Sequence, residues 1–379
     1  MRIKTLNLRN IRNHIDSDFE FCEFLNILCG QNGAGKTSVL EAIALAGLSK
    51  SFLPVTDSIL TYKDAENYRI KLNATNDLTL PYFVSINYSK TEKKEISNTY
   101  GDNLIPKDII GKLPIVVLSP DYKEITFGSP QCRRTLMDRI LSQSFSNYLD
   151  NWLKLKKILR HRSILLANNL RRHDLDHSLL EVWTNMLIEV SAEITWRRAK
   201  FIKKFDEKFR TIYAEISQNK EEVELKYRAF GIKDTSSKDD IFQELTKVAS
   251  YYSEDEIRRG VNLFGPQRDD LKILINGGIA RDFASQGQHK SLLIAIKFAE
   301  FHFLHEALNE TPIIILDDIF SELDSERIAQ VLNLVKLHNA QTFISVNFVD
   351  FLEKIQLTDR YKIFNIFDGK VISAEEFNA

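Results

Sequence analysis

Residues 30–37 read GQNGAGKT, a spacing of Gly30-x4-Gly35 followed at once by Lys36 and Thr37. Gly33, Ala34 and Gly35 carry almost no side chain, so their backbone N–H groups can approach phosphate oxygens and point at them. Lys36 then supplies a compact charge for the β- and γ-phosphates, and the Thr37 hydroxyl a ligand for Mg²⁺. Gln31, Asn32 and Ser38 complete the loop's candidate contacts. A glycine-rich turn with a solvated lysine would carry the same letters. Here, however, the apolar run FLNILC precedes the loop and TSVLEAIALAGL, apolar at helical spacing, follows it. That context fits a nucleoside-triphosphate site. Hydrolysis there needs an acid at the end of a neighbouring strand, and PIIILDD offers two. Asp317 is expected to hold the Mg²⁺ shell and Asp318 to polarise the attacking water.

The elements that must position these residues follow from patterning. RIKTLNL and DSDFEF alternate as two short strands joined by RNIRNH, and residues 68–98 alternate as antiparallel strands turning at Asn76-Asp77 and near Lys90. PIVVLS reads as a buried strand. Residues 130–210 contain no glycine and only Pro130, with apolar residues at helical spacing, so a helical lobe is expected there. A strand (VELKYRAFGI), a charged helix from Lys238 to Arg259 and a hairpin at Gly277-Gly278 follow. The last hundred or so residues alternate helix and strand, the rhythm of parallel strands with crossover helices, and end in a hairpin at Asp368-Gly369. The expected fold is α/β: a P-loop lobe from residues 1–115 and 290–379, with a mainly helical lobe, 116–289, inserted.

Composition narrows the partners. The chain has 379 residues, 51 Lys/Arg against 52 Asp/Glu and 44% hydrophobic residues. With a net charge of −1 it has no bulk affinity for nucleic acid, so any must come from a local patch. No segment approaches a membrane span, and the N-terminus has no apolar leader core. Cys22, Cys29 and Cys132 form no CxxC pair, which argues against a zinc site or a disulfide framework. A soluble cytoplasmic protein fits.

Between the loop and the acidic strand lies FASQGQHKSLLIAIKFAEF. Ser285 and Gly287, with Gln288, stand at the head of a long helix, where N–H groups form a second phosphate cradle. The stretch resembles the signature motif of ATP-binding-cassette (ABC) proteins, which contacts the γ-phosphate of the opposite subunit. FSELDSE resembles their D-loop, with Ser321 and Asp324 at a dimer seam. Asn347 stands near the position of their switch histidine, and no Q-loop glutamine is evident after PIVVLS. The chain lacks the long coiled coil of SMC proteins.

Longer phrases resemble the RecF family of bacterial recombination-repair proteins over nearly the whole chain: LNLRNIRNHIDSDFEF, GQNGAGKTSVLEAI, LSPDYKEITFGSPQCRRTLMDRIL, GPQRDDLKI, SQGQHKSLLIAIKFAE and ILDDIFSELD. Gln267 departs from the family's usual histidine, and His289-Lys290 from its usual Gln-Arg. The resemblance makes Arg12 and Asn13 candidates for nucleotide contact. It implies an ABC-ATPase head that binds ATP and Mg²⁺ and forms an ATP-dependent homodimer. It also implies binding to single-stranded, gapped or junction DNA and action with RecR and RecO in loading recombinase. The only clear basic excess fits a DNA role: residues 151–210 carry fourteen Lys/Arg against seven Asp/Glu. Lys154, Lys157, Arg160, Arg171 and Arg172 are its candidate phosphate contacts. A rival reading is a signalling or defence ATPase of the same superfamily that acts on a protein effector; direct DNA binding separates the two.

Overall fold

The computed structural model describes residues 1–172, 175–321, 323–347 and 360–377. Contacts divide the chain into two compact units, Met1–Lys123 with Lys290–Ala379, and Glu124–His289.

The first unit begins with β1 (Arg2–Ile11), β2 (His14–Glu20) and β3 (Leu25–Cys29), followed by α1 (Lys36–Leu48) and the single-turn α2 (Asp57–Leu60). Then come β4 (Asn67–Thr75), β5 (Pro81–Ser89), β6 (Glu95–Asn98), α3 (Pro106–Ile109) and β7 (Ile115–Leu118). Strands β2-β1-β4-β5-β6 form an antiparallel sheet in that order. β1 is longer than its alternating letters suggest and runs through Asn10 and Ile11, leaving only Arg12-Asn13 as the turn. Its pairing with β4 ends at Arg9, and the last residues are held instead by Ile11, which pairs with His14 of β2 on one side and bridges Thr61 on the other.

In the second unit α4 (Glu124–Phe127), α5 (Pro130–Ser144), α6 (Ser146–Arg172) and α7 (His177–Ser217) form the expected helical run. β8 (Val223–Arg228), α8 (Lys238–Arg259), β9 (Asp270–Ile275), β10 (Gly278–Ile279) and α9 (Ala280–Phe283) follow. β10 is only two residues long because the chain coils into α9 immediately after it. Arg198 of α7 is 2% exposed, and two carboxylates meet it: Asp138 at 2.8 Å and Asp269 at 2.9 Å. Trp152 Nε1 donates to Asp138 and the Phe230 N–H to Asp269, each at 2.9 Å, so the acids are satisfied from other sides too. Arg133 clasps Asp270 with two bonds of 2.9 and 3.1 Å. The GSPQCRR and GPQRDD phrases therefore build one buried polar network.

The chain continues through α10 (Gln286–Leu308), β11 (Ile313–Leu316), α11 (Ser325–Leu337), β12 (Thr342–Val346), β13 (Tyr361–Phe367) and β14 (Lys370–Phe377). These strands join β3 and β7 in a six-stranded sheet of order β14-β13-β3-β12-β11-β7. All its pairings are parallel except β13 with β14. β3, β7, β11 and β12 are buried at every position, as expected for parallel strands covered on both faces. α1 is buried almost all round, in one apolar cluster with residues of both sheets. Among the described residues no helix is long and apolar enough to cross a membrane.

Candidate nucleotide site

The site lies where β3, β11 and β12 end together, beyond the carboxyl edge of the parallel strands. β3 releases the chain at Gly30, whose N–H donates to Val346 O of β12 at 3.3 Å. A side chain at Gly30 would strike Ile366 O at 2.3 Å, and one at Gly35 would meet His14 Nε2 at 2.6 Å. Gly33 and Gly35 also take positive φ, +81° and +112°, which glycine adopts without strain. Gln31, Asn32 and Gly33 are exposed, and a Cβ at Gly33 would meet nothing within 4 Å, so the loop is open on its outer side. α1 starts with no side-chain cap, which leaves its first-turn N–H groups for a ligand. Such a cradle fits an anion.

Lys36 is 7% exposed and folds over the loop, donating to Gly30 O at 2.6 Å, Gln31 O at 2.9 Å and Asn347 Oδ1 at 3.0 Å. Burial pushes its pKa down, against the pull of Asp318, Cys29 and Asp317. Thr37 Oγ1 donates to Asp317 Oδ1 at 3.0 Å, and Ser345 Oγ donates to the same oxygen at 2.7 Å. Burial raises the Asp317 pKa, while the bonds from Ser345 and Thr37 oppose the rise. A hydroxyl beside a buried carboxylate is a donor set that suits a hard divalent cation. Asp318 follows with φ +48°, its N–H donating to Ser345 Oγ at 2.8 Å. The two motifs, 280 residues apart, thus meet at Thr37 and Asp317.

Asn13 and Arg12 reach the loop from the β1–β2 turn. Asn13 Nδ2 donates to Gly33 O at 3.0 Å, and Ser38 Oγ approaches Asn13 Oδ1 at 3.5 Å. Arg12 instead pairs through two nitrogens, at 3.1 and 3.2 Å, with Glu41 of α1, which is 1% exposed. The turn is therefore a brace for α1 and the loop. The terminal hairpin braces the loop too, Gly369 N donating to Ala34 O at 2.9 Å. β7 is followed by Ser119, a buried residue whose hydroxyl finds no partner among the described residues.

Three residues here escape a reading of the letters: His14, Glu41 and Ser345. His14 is fully buried, its Nδ1 2.8 Å from Ser17 Oγ and its Nε2 3.0 Å from Gly35 O. Burial lowers its pKa, and the Gly35 carbonyl, which can only accept, takes a hydrogen from Nε2. Glu41 and Ser345 are polar residues inside largely apolar, buried elements, whereas His14 opens the mostly polar, alternating β2. That pattern marks Glu41 and Ser345 as buried polar groups but does not name their partners, and the letters around His14 carry no such mark.

The remaining candidates make contacts of their own. Ser285 caps α10: its hydroxyl accepts from the Gln288 N–H at 3.2 Å, and Gln288 Oε1 accepts from the Ser285 N–H at 2.6 Å, a reciprocal capping box. Gln288 Nε2 also donates to Glu221 at 2.6 Å, and Gly287 lies in the first turn. Asp324 caps α11 by accepting from the Arg327 N–H at 2.9 Å. Ser321 closes the short 3₁₀ turn Ile319–Ser321, and its side chain lies outside the described residues. Lys154, Lys157 and Arg160 are exposed on α6; Arg171 and Arg172 end that helix, with side chains outside the described residues. Gln267 turns inward and donates to Phe264 O at 2.6 Å, and the His289 ring meets Phe127 edge-on at 5.8 Å.

Comparison with known proteins agrees with this geometry. The family model described as RecF/RecN/SMC N terminal domain matches residues 2–366. The DNA replication and repair protein RecF of Chloroherpeton thalassium is 34% identical over 348 residues, 91% of this chain and 94% of that protein. That of Shouchella clausii is 31% identical over 375 residues, 98% and 99% of the two chains. Among solved structures, the recombination mediator protein RecF of the RecFOR pathway, as RecF-ATPrS, superposes with a TM-score of 0.89 at 29% identity, covering 97% of each chain. RecF-ATP gives 0.89 at 28% identity, covering 99% of this chain and 97% of that one. An Smc head bound to the C-winged helix domain of ScpA shares the fold alone, with a TM-score of 0.57 at 14% identity. The architecture is that of an ABC-type ATPase head, and the chain belongs to the RecF family.

Proposed function

We propose that this protein is an ATP-switched DNA-binding protein of recombinational repair, whose slow ATP hydrolysis times a dimeric clamp. The observation that carries this reading is the meeting of Lys36, Thr37 and Asp317 at one open, uncapped helix start. Gly33, Gly35 and the first turn of α1 offer N–H groups to the phosphates, and Lys36 leaves its carbonyl partners to reach the β- and γ-phosphates. Thr37 and Asp317 would hold a Mg²⁺ ion, which would supply charge to offset that of the phosphates. Thr37 gives its hydrogen to Asp317, which frees the hydroxyl lone pairs to hold that cation. Asp318 polarises the attacking water. Ser285 and Gly287, with the D-loop residues Ser321 and Asp324, complete the site of an opposing copy. Closure of two heads then grips gapped or junction DNA, hydrolysis releases it, and RecR and RecO join in loading recombinase. Lys154, Lys157 and Arg160 are exposed cations that can neutralise phosphates.

Binding of gapped DNA, with and without ATP and across a salt series, tests the proposal. ATP should tighten binding, and Ser285→Arg should abolish both that gain and ATP-dependent dimerisation in sedimentation. Its salt-sensitive, ATP-independent binding should survive. A chain that binds ATP but shows no affinity for DNA in either state supports the protein-effector reading instead.

A further inference from the structure

β12 is fully buried and apolar at its centre, yet it carries Ser345, 1% exposed, in the sequence TFISV. A buried hydroxyl in a central parallel strand is costly unless both its hydrogen and its lone pairs are used. Both are. The single hydrogen goes to Asp317 Oδ1 at 2.7 Å, and a lone pair takes the Asp318 N–H at 2.8 Å. Asp317 Oδ1 also accepts from Thr37 at 3.0 Å, so one carboxylate oxygen is held from β12 and from α1 at once. The bond to the Asp318 N–H is made where that residue turns to φ +48°, an uncommon conformation that a local hydrogen bond helps to hold.

We propose that Ser345 is the positioning residue of the hydrolytic site, acting through Asp317 and Asp318 together. Resting on the nucleotide reading above, the proposal adds the group that aims both acids. With the hydroxyl removed, Asp317 loses one of two donors to Oδ1 and can rotate away from Thr37, while the left-handed turn that aims Asp318 loses its anchor. Cation affinity and hydrolysis should suffer together, whereas phosphate binding by the loop itself should not. Groups that orient metal ligands from behind typically carry tenfold to a hundredfold in affinity or activity.

Ser345→Thr and Ser345→Val have the same shape and differ only in the hydroxyl, so a packing role predicts that they behave alike. Equilibrium binding of labelled ATP is measured in EDTA and then along a Mg²⁺ titration, beside steady-state hydrolysis. Ser345→Thr should match the parent throughout. Ser345→Val should bind ATP normally in EDTA, need on the order of tenfold more Mg²⁺ for the metal-dependent gain, and lose on the order of tenfold or more in kcat with little change in KM. Equal Mg²⁺ titrations for the two variants overturn the proposal, as does a loss of ATP binding in EDTA confined to Ser345→Val. A parent protein that binds no ATP in either buffer overturns the nucleotide reading itself, a result distinct from both.

Discussion

Lys36 and Arg198 are both nearly inaccessible cations, 7% and 2% exposed, and the protein surrounds them in opposite ways. Arg198 touches two carboxylates, the Pro266 carbonyl at 2.8 Å and the Tyr148 hydroxyl at 3.2 Å. Among the described residues Lys36 touches two carbonyls and an amide oxygen, and none of these hydrogen bonds goes to a carboxylate. The first charge is neutralised where it lies. Among the described residues the second is hydrogen-bonded to dipoles alone, beside an open loop, and burial pushes its pKa down against the pull of Asp318 and Asp317. A buried ion pair saturated on all sides is architecture, whereas a buried charge met only by dipoles is poised for an external counter-charge.

The contrast breaks most sharply in stability. Arg198→Met strands Asp138 and Asp269 in a dry interior, a change that typically costs about 3–5 kcal/mol. Urea unfolding should show it as a large fall in midpoint. A loss under about 1 kcal/mol would mean that water already reaches the network. Lys36→Ala should leave the urea midpoint close to the parent's, because its partners are neutral oxygens at a loop that solvent can enter. It should lose ATP affinity by about a hundredfold or more, an estimate set by the loss of a charge-assisted contact to phosphate. Unchanged binding of labelled ATP by this variant would remove Lys36 from the site.

How much of this contrast the letters carry depends on sequence distance. The loop is legible because its chemistry is contiguous: Gly30 to Thr37 supplies backbone, charge and hydroxyl within eight positions. The PIIILDD strand is legible because burial on both faces forces an unbroken apolar run that ends in acid. Ser345 is not, since its tie to Asp317 exists only through the parallel register that sets Leu316 beside Ile344. The same limit hides Arg198: its acids stand 60 and 71 positions away, and an arginine beside Arg197 in a long basic helix reads as surface. Within the stretch counted as a basic patch, Arg198 and Arg162 are in fact buried, with Arg162 bonded to Glu256 at 2.7 Å. Charge counted along a helix therefore overstates what can meet a phosphate, whereas Lys154, Lys157 and Arg160 do face solvent. Fold legibility failed in a similar way at β1, where the pairing of Ile11 with His14 and its bridge to Thr61 carried the strand through letters that look like a turn.

A subtler break concerns the acids on the nucleotide side. Asp318→Asn keeps the amide that bonds Ser345 and removes only the carboxylate. ATP and Mg²⁺ binding should persist near the parent's values while hydrolysis falls by about a hundredfold or more, a typical penalty for a lost general base. Sedimentation should then show a dimer that outlasts the parent's in ATP. Parent-like turnover would move the water-activating role to another residue.

The smallest expected effect is a pH dependence that neither charged centre causes. His338, at the end of α11, packs edge-on to His302 at 4.4 Å and against Phe301 at 5.2 Å. Burial, with His302 and His305 nearby, pushes its pKa down to about 4 from an ordinary 6.5. Between those values the unfolded chain takes up a proton that the folded chain refuses, so acid favours unfolding. This contribution to stability is complete above about pH 6.5 and is lost as pH falls towards about 4. His14 beneath the loop shifts in the same direction. Urea midpoints at successive pH values should therefore decline below neutrality, and His338→Gln should flatten part of that decline. If His338→Gln leaves the slope intact and His14→Gln removes it, the acid-sensitive element lies under the nucleotide loop, and the division between a saturated and a poised region needs a third, titratable member.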